Sequence, residues 1–281
     1  MIKNKISKRI FTIHEIIDFS LILGALMSVC GTYWDIQYHI DVGRESFWIN
    51  PHLLIYSGML IILLGASLAL WCARKLKSKQ ANQRLFNALI IIFLSVIIQL
   101  SGGPIDELWH RLFGLDVTIW SFPHLLLIFA GFSIKLSVIY FQRLYMHIAK
   151  LDKIKKFTSD EFKLELMFAI ALVGLGILTA EYEYLRTIPF SQFVSIDLNN
   201  PWVYNLILSL EFVFMFTLAK LIIKTKWAAT RIAIFYFILK AVMSYVLSTQ
   251  ISSPILPPLV IIPAILYDLI FEKTIKSVIL T

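Results

Sequence analysis

Eight apolar runs of about 20 residues, set apart by clusters of lysine and arginine, constrain this 281-residue chain more than any other feature. They cover roughly 16–36, 52–73, 85–105, 120–142, 164–184, 202–223, 229–249 and 255–272. Each has the length an α-helix needs to cross hydrocarbon about 30 Å thick. Backbone groups in such a medium must bond within their own segment, so the runs read as helices. Composition agrees: 58% hydrophobic and 16% charged residues, with mean hydropathy +0.77, do not describe an ordinary soluble domain. The expected fold is all-α, a single polytopic transmembrane bundle over 1–281 built from helical hairpins. No cleavable signal peptide is expected, because the first apolar run is long and lacks a small-residue cleavage site at its end.

The basic residues fall on one side of this arrangement. Lys3 to Arg9, Arg74 to Arg84, Arg143 to Lys163, Lys220 to Arg231 and Lys273 with Lys276 bring 21 lysines and arginines to alternate loops and the two ends. The opposite loops hold only Arg44, Arg111 and Arg186. The positive-inside rule then expects both termini in the cytoplasm and the chain in the cell membrane. Topology accounts for the net charge of +8, so a nucleic-acid partner is not expected. The lipid bilayer is. Trp71, Trp202 and Trp227 fall near span ends, where amphipathic rings favour the interface.

One polar pattern occurs twice in the sparsely charged loops. Asp35 and His39 are four apart, which on a helix places them on one face. His52 follows, just after Pro51, where the next apolar run starts. Asp106 and His110 repeat the first spacing, and His124 follows Pro123. The two aspartates are 71 residues apart, and four of the six histidines lie in the two copies. Asn50 is suited to cap a helix that Pro51 opens. Gly102, Gly103 and Pro104 read as a helix break that aims the second copy. Each copy sits on one hairpin, 16–73 and 85–142. Two further hairpins fill 164–281 without the motif. The third carries Glu181 and Glu183, with Leu185 and Trp202 where histidines would fall. The fourth has Ser248, Gln250 and three prolines, Pro254, Pro257 and Pro258.

Two imidazoles and one carboxylate, with coordination positions left open, suit copper, zinc or iron. A lone interfacial histidine is more often a hydrogen-bonding residue, and Asp with His four apart is often a plain helix pair. Repetition of three residue types at nearly the same spacing favours the metal reading, because polar groups at membrane depth are costly to keep. Asp35, His39, His52, Asp106, His110 and His124 are therefore the candidate ligands, facing one another across a shared outer cavity. Asp41, Glu45, Glu107 and Asp116 read as solvated loop carboxylates or outer partners of the ligands, with Arg44 and Arg111 as their counter-ions. Glu211, inside a span, is a further candidate site residue. Lys135 and Lys240 are expected to snorkel toward the inner face of the membrane. Cys30 and Cys72 lie at opposite depths, so no disulfide is expected between them.

The two copies resemble the C subunit of the particulate methane monooxygenase and ammonia monooxygenase family. That family carries D-x3-H-x12-H followed by N-x3-H-x13-H, the two parts about 71 residues apart. Asp35, His39 and His52 match the first spacing. Asp106, His110 and His124 match the second, with Asp106 in place of the family's Asn. Around the first copy Arg44 is kept, Tyr38 stands for a Trp, Glu45 for an Asp and Trp48 for a Phe, and Pro51 comes one place later. Trp109 supplies the Trp before His110. The resemblance covers about 16–142. It implies a membrane subunit whose sites bind copper, working with other membrane subunits of an oxidase complex to oxidise a small apolar or neutral substrate with O2. The alternative is a metal-handling membrane protein, a sensor, carrier or assembly factor without oxygenase activity. A plain membrane protein with polar pockets is the third possibility. No ladder of Met, Cys or His runs through the spans, which favours a fixed site over a transport path.

Overall fold

The computed structural model describes residues 2–43, 47–74, 79–114, 119–148, 159–180, 202–223, 225–247 and 260–279. Among them every regular element is helical: α1 (Ile2–Asp41), α2 (Asn50–Ala73), α3 (Lys79–Phe113), α4 (Phe122–Ile148), α5 (Ser159–Leu175), α6 (Trp202–Ile223), α7 (Ala228–Leu247) and α8 (Ile261–Ile279). A short 3-10 turn, Gly176–Thr179, extends α5. Seven of these eight are long and apolar enough to cross a membrane. The eighth expected span is seen as α8, whose apolar stretch Ile261–Phe271 is shorter. Glu45, Asp116, Arg44, Glu181, Glu183, Leu185, Ser248, Gln250 and the prolines at 254, 257 and 258 lie outside the described residues.

The bundle is arranged around α5. Of its apolar stretch 83% is buried, against 33–50% for the other six, so it is the central helix. It packs on α1, α4, α6 and α7. The two motif-bearing hairpins, α1–α2 and α3–α4, are the most intimate pairs, and α2 lies against α3.

Glycine sets the closeness of the first hairpin. A Cβ on Gly24 would stand 2.5 Å from the Gly58 carbonyl oxygen, and a Cβ on Gly58 would stand 2.6 Å from the Gly24 oxygen. The two backbones touch, as small residues allow between membrane helices. Neither oxygen belongs to a side chain that could swing away. Gly58→Ala is therefore expected to push α1 from α2 and lower stability by about 1–3 kcal/mol, the usual cost of overpacking. Thermal unfolding in detergent checks this; an unchanged midpoint contradicts the contact.

Ionic groups tie the helices together at the end of the bundle remote from the motifs. Lys163 of α5 holds Glu15 at 2.7 Å and Asp18 at 3.2 Å on α1. Arg231 of α7 grips Glu165 of α5 with both Nε and Nη2. Asp268 of α8 pairs with Lys220 of α6 at 2.7 Å. The same carboxylate accepts the backbone N–H of Thr230, one of the otherwise unsatisfied donors in the first turn of α7. Two other lysines depart from expectation. Lys135 and Lys240 stay in the interior, 4% and 2% exposed, rather than snorkelling. Lys240 finds the Tyr33 hydroxyl at 2.9 Å and the face of its ring at 4.1 Å, while Lys135 bonds the Gly131 carbonyl. Polar partners at depth remove the reason to reach for the interface. Cys30 and Cys72 are free thiols, as expected.

Candidate metal centres

Helices longer than the bilayer requires carry the motifs. The spans Ile13–Asp41 of α1 and Asn82–Phe113 of α3 run to 29 and 32 residues, well past the roughly 20 that cross hydrocarbon. Hydropathy alone places the ends of these spans near 36 and 105. The helices continue to Asp41 and Phe113, because Asp and His four apart satisfy one another along the helix face. Both then stop in the same way. Gly43 and Gly114 take positive φ, 86° and 90°, the left-handed conformation that ends helices at glycine. Each glycine is four residues beyond its histidine, so the repeat is Asp, His, Gly at steps of four. That third step is a signal the motif reading missed.

The returning helices also match. His52 and His124 are each the third residue of their helix, directly after a buried proline. Asn50 does not cap α2. It is the first helical residue, and Ile49 stands at the cap position without a side-chain bond. The expected break at Gly102, Gly103 and Pro104 is absent: α3 runs through Pro104. The glycines instead make room, Gly102 for Leu127 and Gly103 for Tyr56 and Phe47.

In the first triad Asp35 Oδ1 lies 3.0 Å from His52 Nε2 and 3.5 Å from His39 Nε2. In the second, Asp106 Oδ1 lies 3.2 Å from His110 Nε2 and 3.3 Å from His124 Nε2. The paired imidazole rings are 6.1 and 6.0 Å apart. All six side chains thus converge as two groups of three, each drawn from one hairpin, with one ligand atom per residue within 4.8 Å. Donors on a common ion at about 2.0–2.2 Å stand roughly 3.4–3.6 Å apart at tetrahedral to trigonal angles, so these separations fit with small adjustment.

Protonation of the rings points the same way. His52 Nδ1 is 2.7 Å from the Phe47 carbonyl, and His110 Nδ1 is 3.2 Å from the Gly114 carbonyl. A carbonyl only accepts, so Nδ1 carries a proton, and a neutral ring would turn an Nε2 lone pair toward the carboxylate. An imidazole oriented by a carbonyl through its other nitrogen is the usual outer support of a histidine ligand. Protonation of Nε2 would instead give an ion pair. Either a proton or a metal cation is needed among these atoms, because lone pairs at 3.0 Å repel.

The neighbouring charges are more ordinary. Glu107 pairs with Arg111 at 2.8 Å on an exposed face. Trp109, next to His110, buries its indole N–H without an acceptor among the described residues. Glu211 is buried in α6 and is not a member of either triad. A third cluster, His14, Glu15 and Asp160, also meets the geometric requirement for a cation. There the Lys163 ammonium lies 2.7 Å from Glu15 and 3.3 Å from Asp160, and so supplies the positive charge itself.

No family model matches the chain, and neither a curated protein nor a solved structure matches it.

Proposed function

We propose that this membrane protein binds one metal ion at each triad, that the metal is copper, and that the chain is the copper-bearing subunit, or a paralogue of it, of a copper membrane monooxygenase. The same donors suit iron or zinc equally well, and the choice of copper rests on the family resemblance. The observation that carries the reading is the duplicated arrangement of two imidazole nitrogens around one carboxylate oxygen at 3.0–3.5 Å. Its substrate would be a small apolar or neutral molecule oxidised by O2, with other membrane subunits supplying what this chain lacks. The distribution of basic residues puts both termini in the cytoplasm and the triads toward the outer face of the cell membrane.

Asp106 favours a second reading. Where the resembled family has Asn, this chain has a charge, which holds a divalent ion more tightly. A metal sensor, carrier or assembly factor would use such a site to bind the ion without oxygenase activity. Consumption of O2 by the copper-loaded chain and its partners separates the oxidase from the metal handler.

The metal reading itself is tested by copper content and spin resonance of the loaded, washed chain across pH. Imidazole must be neutral to coordinate, so protons compete with the metal. Copper is expected to be retained above histidine's ordinary pKa of about 6.5 and to leave as pH falls below it. Retention unaffected by mild acid contradicts an imidazole site.

A further inference from the structure

Tyr56 stands on α2 one turn beyond His52, so both side chains leave the same face of the helix. Its ring lies 6.4 Å from the His52 ring and 5.9 Å from the Phe47 ring. The hydroxyl reaches across to α3 and rests over Gly103, where a methyl group would overlap it. Gly103 is three residues before Asp106, on the same face of α3. The phenol therefore spans from the first triad to the second. The Asp35 and Asp106 carboxylates both act on it electrostatically. It is half-buried, and its hydroxyl makes no hydrogen bond among the described residues.

A phenol O–H is a donor, whereas the carboxylates and the Nε2 atoms of the triads offer lone pairs to a cation. A donor held between two metal sites, and not spent on the protein, is suited to what the metals bind. We propose that Tyr56 donates a hydrogen bond to a small anionic or oxygen-bearing ligand held on the metal of a triad, and so helps select that ligand. This rests on the metal reading above and adds the class of ligand to it.

The test uses azide, a small anion that binds copper(II), with the full copper-loaded chain in detergent. Azide is titrated, and its affinity is read from the charge-transfer band and the spin-resonance spectrum. Tyr56→Phe is expected to keep the copper content of the unaltered chain and to weaken azide roughly ten- to hundredfold, as loss of a bond to a charged acceptor does. Gly103→Ala, which displaces the hydroxyl while leaving the ligands in place, is expected to shift affinity the same way. Tyr245→Phe, on a side chain 80% exposed, is expected to change nothing. Undiminished azide affinity in copper-loaded Tyr56→Phe overturns the proposal. So does loss of copper from that variant, which would make Tyr56 a support of the triad. An unaltered chain that takes up no copper removes the metal reading, and this one with it.

Discussion

Asp35→Ala is expected to empty the first triad and leave the second filled, and Asp106→Ala to do the reverse. Each single variant should retain about half the copper of the unaltered chain, and the double variant almost none. The reason is geometric. One oxygen, Asp35 Oδ1, faces both His39 and His52, and Asp106 Oδ1 faces both His110 and His124. Removing it takes away the only carboxylate of the set and the group that draws both imidazoles inward. Phe47 and Tyr56, which lie beside His52, offer no carboxylate in its place. Since each triad comes from a single hairpin, the two losses should add, as effects at independent sites do. Copper per chain after washing measures this. Non-additive losses would mean that the copies share one ion. Full copper in both single variants would remove the triads from consideration.

The second large effect concerns the scaffold. Glu165→Ala is expected to cost about 3–5 kcal/mol, the range for breaking one side of a buried ion pair. Glu165 has no exposed side-chain surface, and its two oxygens take Arg231 Nε and Nη2 at 2.6–3.0 Å. Its loss leaves the Arg231 guanidinium, 26% exposed, without its carboxylate partner on the central helix, though still bonded to the Thr225 hydroxyl at 2.6 Å. The melting temperature in detergent should fall by roughly 10 °C. Replacing both residues by methionine should recover most of the loss, because the stranded charge, not the missing bond, is the main penalty. If the double variant is no more stable than Glu165→Ala, packing at this junction matters more than charge.

The fold was legible because lipid leaves few choices. Apolar runs of about 20 residues must become helices, and seven described helices meet that requirement. The candidate site residues were legible because Asp and His recur at a helical step, and each group of three comes together as its spacing implies. Ends were harder to read. Hydropathy falls at Asp35 and Asp106, yet the helices continue, since the polar residues pair along the helix and only glycine at positive φ stops them. Gly103 looked like a breaker, but its use lies in the space it leaves for Tyr56. That use depends on a residue 47 positions away, on a different helix, and no local pattern encodes it. The buried state of Lys135 and Lys240 was likewise hidden, because Tyr33 and Gly131 become their partners only once the helices pack or turn.

The most direct test of the two triads is the X-ray absorption spectrum of the copper-loaded chain. Two imidazole nitrogens and one carboxylate oxygen per copper, at about 2.0–2.2 Å, with close to two coppers per chain, is the result expected from Asp35, His39, His52 and Asp106, His110, His124. A spectrum dominated by sulfur, or no copper retained at neutral pH, would contradict it.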